Sequence, residues 1–299
     1  MTDQRSDPVY AGREHRMRKL SGVIKVLIPI FLLLSGLGYG GYVYYGYAKG
    51  RVEYAALLDD YTRPYGENKE AVPAAVLPKE DVRDETEDEP MTETTIWKPL
   101  AASLPEDAPE RLLVDFEELK QKNGDVKAWI HVPSVSISYP VLQSDDNDYY
   151  LHRDINRDYL YAGSVFMDAD NNPAFYNYNT IIYGHNMRDG SMFAKLKDFG
   201  SKEVYDTCPY FWIFTPDADY LYEICSVHLA SPGSSTFTLR FSDYEEYRHW
   251  LEEMLGKSVI QTGIKLESQD RIVTLSTCTE SSSVRMTVQG KLIWKEVRN

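Results

Sequence analysis

An uncharged apolar segment near the N-terminus constrains this chain more than any other feature. Residues 26–47, VLIPIFLLLSGLGYGGYVYYGY, hold no charged side chain over 22 positions. As a helix they would extend roughly 33 Å, which matches the hydrocarbon thickness of a bilayer. The tyrosines at the C-terminal end of the segment occupy the place of an interfacial aromatic belt. The segment therefore predicts a transmembrane anchor that stays on the protein.

Two other interpretations of this segment fit less well. A cleavable signal peptide would have a shorter apolar region and a small-residue cleavage site, which Gly-Tyr-Gly-Gly-Tyr supplies poorly. A buried core helix of this length would be unusual. Residues 1–25 carry six basic and three acidic side chains, so the positive-inside rule predicts a cytoplasmic N-terminus and an extracellular chain after residue 48.

The charge of the rest of the chain excludes one class of partner. The whole protein has a net charge of −14, and the first 25 residues contribute +3, so the remainder carries −17. Nucleic-acid binding requires a basic face on the folded part, which argues against such a role here.

Residues 48–110 contain seven prolines, and residues 80–93 hold eight acidic side chains and one arginine. This composition predicts an extended acidic tether between the anchor and the folded domain.

The chain from residue 111 to 299 predicts a mainly β domain with peripheral helices. Leu112, Leu113, Phe116 and Leu119 form a helical stripe that ends at Gly124. A second helix over 242–258 has Ser242 as its expected N-cap. The other apolar segments are short and separated by turn residues, which favours a closed barrel or a sandwich of seven or eight strands. Nine segments are candidates for these seven or eight strands: 128–132, 135–143, 163–168, 179–185, 210–215, 220–229, 235–241, 271–278 and 284–294.

Three cysteines in a chain that is expected to be exported leave at least one free thiol. Cys208 and Cys225 suit buried apolar positions, since Cys225 lies inside the run YLYEICSVHL. Cys278 ends the strand RIVTLSTC, where Val273 and Leu275 would face the core and the cysteine would face the other way. An accessible thiol at the end of a strand is suited to nucleophilic attack.

A catalytic thiol, with an ordinary pKa of about 8.5, needs a base or cation beside it. Among the six histidines, His185 is the best candidate, because in IIYGHNM it follows an apolar strand and begins a polar loop. His131, His152 and His228 have no distinctive sequence context.

Arg285 is the first residue of the strand RMTVQGKLI, directly after the Cys278 loop. Antiparallel pairing of 270–278 with 284–293 would bring its guanidinium close to Cys278, where it could stabilise an oxyanion.

These motifs together resemble the sortase family of cysteine transpeptidases, and class B in particular. TLSTC, a downstream arginine that opens a strand, and the earlier YGHNM match the family pattern in order. The segments GDVKAWIHVPSVSISYPVLQSDDNDYYLHRD and YAGSVFMDADNN also resemble class B, and the similarity covers about 112–297. One departure is that only six residues separate Cys278 from Arg285, which is short for the family.

The resemblance implies a closed sortase-type β-barrel and a role for each residue. Cys278 would be the nucleophile, His185 the general acid/base, and Arg285 the group that stabilises the oxyanion. Substrate contacts are expected from Ser276, Thr277, Glu280 and Asn186. The enzyme would cleave the C-terminal sorting signal of a secreted protein at a Thr carbonyl. It would then transfer that protein to an amine of a lipid-linked cell-wall precursor or of a pilin lysine, without a metal or organic cofactor.

Two further hypotheses remain open from the sequence. A membrane-anchored cysteine peptidase would use the same residues and resolve the acyl-enzyme with water, although papain-like enzymes have the cysteine before the histidine. A non-catalytic surface protein, such as an adhesin or scaffold, would need no reactive thiol. Addition of an amine to a cleavage assay separates the first from a transpeptidase, and alkylation of Cys278 tests the second.

Overall fold

The computed structural model describes residues 8–66, 100–101, 103–278 and 283–298, with Cys278 described by its backbone. The chain divides into two compact units, Met1–Lys49 and Gly50–Asn299. Helix α1 extends over Pro8–Tyr61. By length and composition, its part Leu27–Tyr61 is long and apolar enough to cross a membrane.

The second unit begins earlier than the predicted boundary at residue 111. Tyr54 and Leu57, near the C-terminal end of α1, are buried. The Tyr54 hydroxyl donates to the carbonyl of Gly163 at 2.7 Å. After the helix, strand β1 (Thr62–Pro64) pairs antiparallel with strand β2 (Leu112–Val114). Residues 50–64 of the predicted tether therefore pack against the folded domain, and residues 67–99 lie outside the described residues.

Pairing with β1 also changes the first predicted helix. Leu112 and Leu113 belong to β2, because they pair with Pro64 and Arg63, which lie far earlier in the chain. Helix α2 covers Phe116–Lys122, and the Asp115 side chain caps it by accepting from the backbone N–H of Glu118 at 3.0 Å. The prediction of a helix ahead of the barrel is confirmed, with a later start.

Eight strands close into a barrel in the order β10-β8-β7-β3-β4-β5-β6-β9. Most neighbours are antiparallel, and the two parallel pairs are β4 with β5 and β6 with β9. The turn spacing left a barrel or a sandwich open, and the closed barrel that the family resemblance implied is confirmed. The strands are β3 (Val126–Val132), β4 (Ile137–Leu142), β5 (Val165–Met167), β6 (Asn179–Gly184), β7 (Tyr210–Phe214), β8 (Ala218–Ala230), β9 (Ile272–Cys278) and β10 (Arg285–Val297).

The remaining helices lie outside the barrel. Helix α3 covers Lys202–Thr207, and helix α4 covers Tyr244–Lys257 between β8 and β9. Asp243, rather than the expected Ser242, is the N-cap of α4, because its carboxylate accepts from the backbone of Glu246 at 2.8 Å. The buried face of α4 packs against Cys225 of β8 and Ile272 of β9.

Residues 235–241 do not form the strand that their alternation predicted. Ser235–Phe237 is a short 3₁₀ helix, and the carbonyl oxygens of Thr236 and Thr238 accept from the side-chain amide of Asn179 in β6. Its backbone therefore bonds to a side chain of the barrel instead of a neighbouring strand. Together with α4, this segment covers the barrel beside β6 and β9, so that Thr274 and Ser276 are as buried as Val273 and Leu275.

Candidate active site

Three adjacent strands bring the candidate residues to one end of the barrel. In the antiparallel pair β9–β10, Cys278 is the direct partner of Arg285. In the parallel pair β6–β9, Gly184 is the partner of Thr277, and His185 is the next residue after Gly184. Because neighbouring strands lie about 4.8 Å apart, the backbones at Cys278, Arg285 and His185 are adjacent.

Buried side chains fix the register of these three strands. The Thr274 hydroxyl of β9 donates to the Asn179 side-chain oxygen of β6 at 2.7 Å. The Gln289 amide of β10 donates to the same Thr274 oxygen at 3.0 Å. All three side chains are buried, so a shift of one strand by one residue would leave polar groups without partners inside the protein. These hydrogen bonds fix the register of β6, β9 and β10, so that the strand ends that carry the candidate residues are adjacent.

His185 stands where β6 leaves the barrel, and a tight contact defines that exit. A Cβ atom on Gly184 would lie 2.7 Å from Cγ of Phe193, which is closer than real Cβ contacts allow, so this position requires glycine. The backbone N–H of Phe193 in turn donates to the carbonyl of His185 at 3.0 Å. The two ends of the loop from residue 185 to residue 193 are therefore hydrogen-bonded to each other, which fixes the backbone of His185.

Two other rings surround the His185 imidazole. The ring of His152 lies 5.2 Å from it, centroid to centroid, at an interplanar angle of 75°. The ring of Tyr161 lies at 6.3 Å and 82°. Burial lowers the pKa of His185 to about 4, and the charge of nearby His152 contributes to the same direction. Burial thus favours the neutral form of the His185 imidazole.

Aromatic side chains also support Arg285. Its guanidinium carbon lies 5.5 Å from the ring centroid of Tyr183 and 5.5 Å from that of Phe237. The two rings stack on each other at 6.4 Å, and the Tyr183 hydroxyl donates to the Asp168 carboxylate at 2.9 Å. The faces of aromatic rings attract a cation, which restricts the position of the guanidinium. Arg285 thus presents a fixed positive group beside the end of β9.

Comparison with known proteins identifies the fold and its family. A family profile described as a sortase domain matches residues 130–293. The chain belongs to the sortase family. Sortases are cysteine transpeptidases, and the relatives of this chain are named sortase B. The protein of Listeria monocytogenes is 36% identical over 184 residues, which are 60% of this chain and 75% of that protein. The protein of Staphylococcus aureus is 33% identical over 187 residues, 62% of this chain and 77% of that protein.

Solved sortase B structures share the barrel. A Staphylococcus aureus sortase B–substrate complex has 33% sequence identity and a TM-score of 0.57, and the match covers 60% of this chain and 84% of that one. A Bacillus anthracis sortase B structure has 28% identity and a TM-score of 0.62, and it covers 84% of this chain and 99% of that one. The match to the Bacillus anthracis structure covers more of this chain than residues 130–293, which the sortase profile matches.

Four further residues of this sortase were predicted to contact the substrate, and the structure describes three of them. Ser276 and Thr277 lie in β9 and are buried, and Oγ of Ser276 has no hydrogen-bond partner among the described residues. Asn186 follows His185 and forms an isolated antiparallel bridge with Met192. Glu280 lies outside the described residues. Ser276, Thr277 and Asn186 therefore flank the candidate triad, and their predicted substrate contacts remain a proposal.

The two other cysteines lack the surroundings of a nucleophile. Cys225 is buried, its Sγ contacts the carbonyl of Gln289 at 3.4 Å, and burial raises the pKa of its thiol to about 12. Burial also raises the pKa of Cys208. Both are free thiols rather than disulfide partners. Across the described residues, no group of His, Cys, Asp and Glu side chains could hold a metal ion.

His152 is a functional candidate that the sequence did not reveal. Its neighbours in YLHRD carry no catalytic pattern, and 32 residues separate it from His185. Only the fold brings the two imidazoles together, because the segment 149–161 and the loop after β6 meet at the same end of the barrel. No periodicity or motif reports such a contact.

Proposed function

We propose that this sortase is a membrane-anchored class B-like enzyme that attaches secreted proteins to the cell wall. In the proposed reaction it cleaves a C-terminal sorting signal at a Thr carbonyl, holds the protein as a thioacyl-enzyme on Cys278, and transfers it to an amine of a cell-wall precursor. The observation that carries the proposal is the strand register, which pairs Cys278 with Arg285 and brings β6 to an end beside them, at His185.

The first step forms a tetrahedral intermediate. The proton of the Cys278 thiol passes to neutral His185, and the sulfur attacks the carbonyl carbon of the Thr residue. The electron pair of the C=O bond moves to the oxygen, which becomes an oxyanion. Arg285 donates hydrogen bonds to this oxyanion, and because its guanidinium stays charged at any relevant pH, the stabilisation does not depend on a proton transfer.

Collapse of this intermediate releases the C-terminal part of the sorting signal. The C–N bond breaks, the imidazolium of His185 gives its proton to the leaving amine, and the carbonyl stays bound to sulfur as a thioester. An imidazolium whose pKa is lowered to about 4 is a stronger acid than ordinary histidine, which favours protonation of the amine. The same low pKa returns His185 to the neutral form that the second half of the reaction needs.

The second half-reaction transfers the protein to its acceptor. The nitrogen of the acceptor amine attacks the thioester carbon while neutral His185 removes a proton from it. The C–S bond then breaks, the sulfur recovers the proton, and a new amide bond links the two molecules. A solved sortase B is described as a complex with triglycine, and under our proposal a peptide amine of this kind acts as acceptor.

The predicted topology supports this location for the reaction. The uncharged segment 26–47 follows a basic N-terminus, so the catalytic domain would lie outside the cell, where secreted substrates and lipid-linked precursors both occur. The partners are then a protein with a sorting signal and a precursor held in the same membrane.

A ligation assay tests the proposed function. The full-length protein in detergent is incubated with a library of candidate pentapeptide sorting signals, with and without an added primary amine, and products are read by mass. We expect ligated product only with the amine present, unchanged product from the Cys208→Ala control, and none from Cys278→Ala. Hydrolysis that an amine never diverts would indicate a peptidase instead, and turnover by Cys278→Ala would overturn the assignment.

A further inference from the structure

No described residue provides, at Nδ1 of His185, the hydrogen-bonded partner that usually orients a catalytic base. Its Nδ1 atom is buried and has no hydrogen-bond partner among the described residues. In many cysteine and serine enzymes a carboxylate or amide bonds to this nitrogen and fixes the ring. Within the described part of the chain, the rings of His152 and Tyr161 contact the His185 ring.

His152 is itself held firmly. Its ring stacks on Tyr161 with centroids 5.9 Å apart and an angle of 23°. Its Nδ1 atom lies 3.1 Å from the carbonyl oxygen of Tyr161. A carbonyl only accepts, so this contact assigns the proton of neutral His152 to Nδ1. Stacking and hydrogen bond together fix both the position and the tautomer of the His152 ring.

The loop that carries both rings is closed at several points. The backbone N–H of Leu160 donates to the carbonyl of His152 at 3.1 Å, and Arg153 bridges to Tyr159. Gly163 adopts a φ of +56°, and a Cβ there would lie 2.2 Å from the carbonyl oxygen of Leu151. Such a close return of the chain allows little movement, so His152 and Tyr161 form a rigid support.

We propose that His152 is a positioning residue for the transfer reaction, and that its ring, by edge-to-face contact, holds the His185 imidazole in the orientation needed for proton transfer. The proposal rests on the proposed function and deepens it. The ring contact orients an imidazole whose Nδ1 atom has no hydrogen-bond partner among the described residues. Because the contact that His152 makes with His185 is one between rings, shape rather than polarity should decide which substitutions are tolerated.

The contact also links His152 to the protonation of His185. Two titratable rings, His152 and Tyr161, contact His185 from the loop beside it. Arg188 and Asp189 belong to its own loop, and the strand register brings the backbones of Cys278 and Arg285 next to it. Removal of His152 weakens both causes of the lowered pKa, burial and the neighbouring charge. The pKa of His185 should therefore rise from about 4 towards its ordinary value in such a variant.

Three substitutions in the full-length protein separate the ring from the charge. His152→Ala removes both, His152→Phe keeps a ring without charge or hydrogen bond, and His152→Gln keeps a hydrogen-bond donor without an aromatic ring. We expect His152→Ala to lower kcat about 10- to 100-fold with little change in KM, because a misdirected imidazole slows proton transfer. His152→Phe should recover most of kcat, and His152→Gln should not. His249→Ala, on exposed α4, is the matched control.

An NMR titration of the His185 ring tests the proposal without any substrate. We expect its pKa to rise in His152→Ala, and the acid limb of the kcat/KM profile to move to higher pH by the same amount. Unchanged kcat and unchanged titration in His152→Ala would overturn the proposal, and so would a Phe variant as slow as Ala. Because the titration needs no turnover, failure of the wild-type protein to ligate would count against the proposed function alone.

Discussion

The two halves of the candidate site are built in different ways. Cys278 and Arg285 are direct partners in one hairpin, so backbone hydrogen bonds between β9 and β10 determine their relation. His185 stands just beyond the end of β6, and its ring is placed by loop contacts and by the rings of His152 and Tyr161. Strand register therefore fixes the positions of Cys278 and Arg285, the proposed nucleophile and oxyanion-stabilising group, whereas side-chain packing orients His185, the proposed base.

This difference has a consequence for variants. Register in a closed barrel is all-or-none, because a slip of one residue turns every side chain to the other face. Ring packing in a loop is graded, and each lost contact changes the orientation of the imidazole by a limited amount. Substitutions of Cys278 and Arg285 should therefore lower activity more than substitutions around His185, which should lower it in steps.

Replacement of the nucleophile gives the largest expected effect. Cys278→Ala should lower ligation by at least about 10⁴-fold, because no other group can carry the acyl chain. Its fold should persist, since the strand pairing of β9 involves backbone atoms. Ligation by mass and circular dichroism measure the two effects, and substantial residual ligation would remove Cys278 from the mechanism.

Replacement of the cation comes next. Arg285→Lys keeps the charge and loses the planar donor fork, so we expect about 10²- to 10³-fold lower kcat, as for loss of an oxyanion donor. The exposed Arg248→Lys substitution on α4 is the control, and it should leave kcat unchanged. Near-normal turnover of Arg285→Lys would reject the role in oxyanion stabilisation and leave the hairpin with one functional residue.

A substitution at Gly184, where β6 ends, tests how loop packing positions His185. In Gly184→Ala the new Cβ would lie 2.7 Å from Phe193, so the loop must shift and carry His185 with it. We expect a loss of about 1–3 kcal/mol in stability and a kcat reduction smaller than that of Arg285→Lys. In Gly200→Ala nothing lies within 4 Å, which provides the control. The double variant Gly184→Ala/Phe193→Leu should recover part of both losses, and no recovery would exclude this contact as the cause.

The smallest expected effect concerns the helix that supports the loop of His152. Tyr54→Phe removes a hydroxyl that contacts the carbonyl of Gly163 at 2.7 Å and Oγ of Ser164 at 3.1 Å. We expect a loss of about 1–2 kcal/mol in unfolding free energy and at most a few-fold change in kcat. Tyr65→Phe, at a half-exposed ring, serves as comparison. Denaturant unfolding measures the free energy of unfolding of each variant. If Tyr54→Phe were as stable as the wild-type protein, α1 would not support the loop of His152.

The sequence predicted the hairpin half of the site better than the histidine half. TLSTC and RMTVQGKLI alternate clearly and are close in the chain, so their pairing followed from local pattern, and the structure pairs them as expected. The contact of His152 with His185 joins segments that only the closed barrel brings together. A pattern of period two or 3.6 contains no information about such a contact.

Other differences have the same origin. Leu112 and Leu113 fit a helical stripe, yet they form β2 because β1 offers them a partner from the end of α1. Residues 235–241 alternate like a strand, yet the side chain of Asn179 binds their carbonyl oxygens. In each case a tertiary partner far away in the sequence determined the local conformation.

Trapping of the acyl-enzyme tests the central claim most directly. The full-length protein is mixed with a sorting-signal peptide without any amine, quenched in acid, and examined by intact mass and by digestion. We expect a thioester adduct on Cys278 that appears before hydrolysed product and that hydroxylamine removes. An adduct on Cys208 or Cys225, or turnover of the peptide with no adduct on Cys278 at any time, would contradict it.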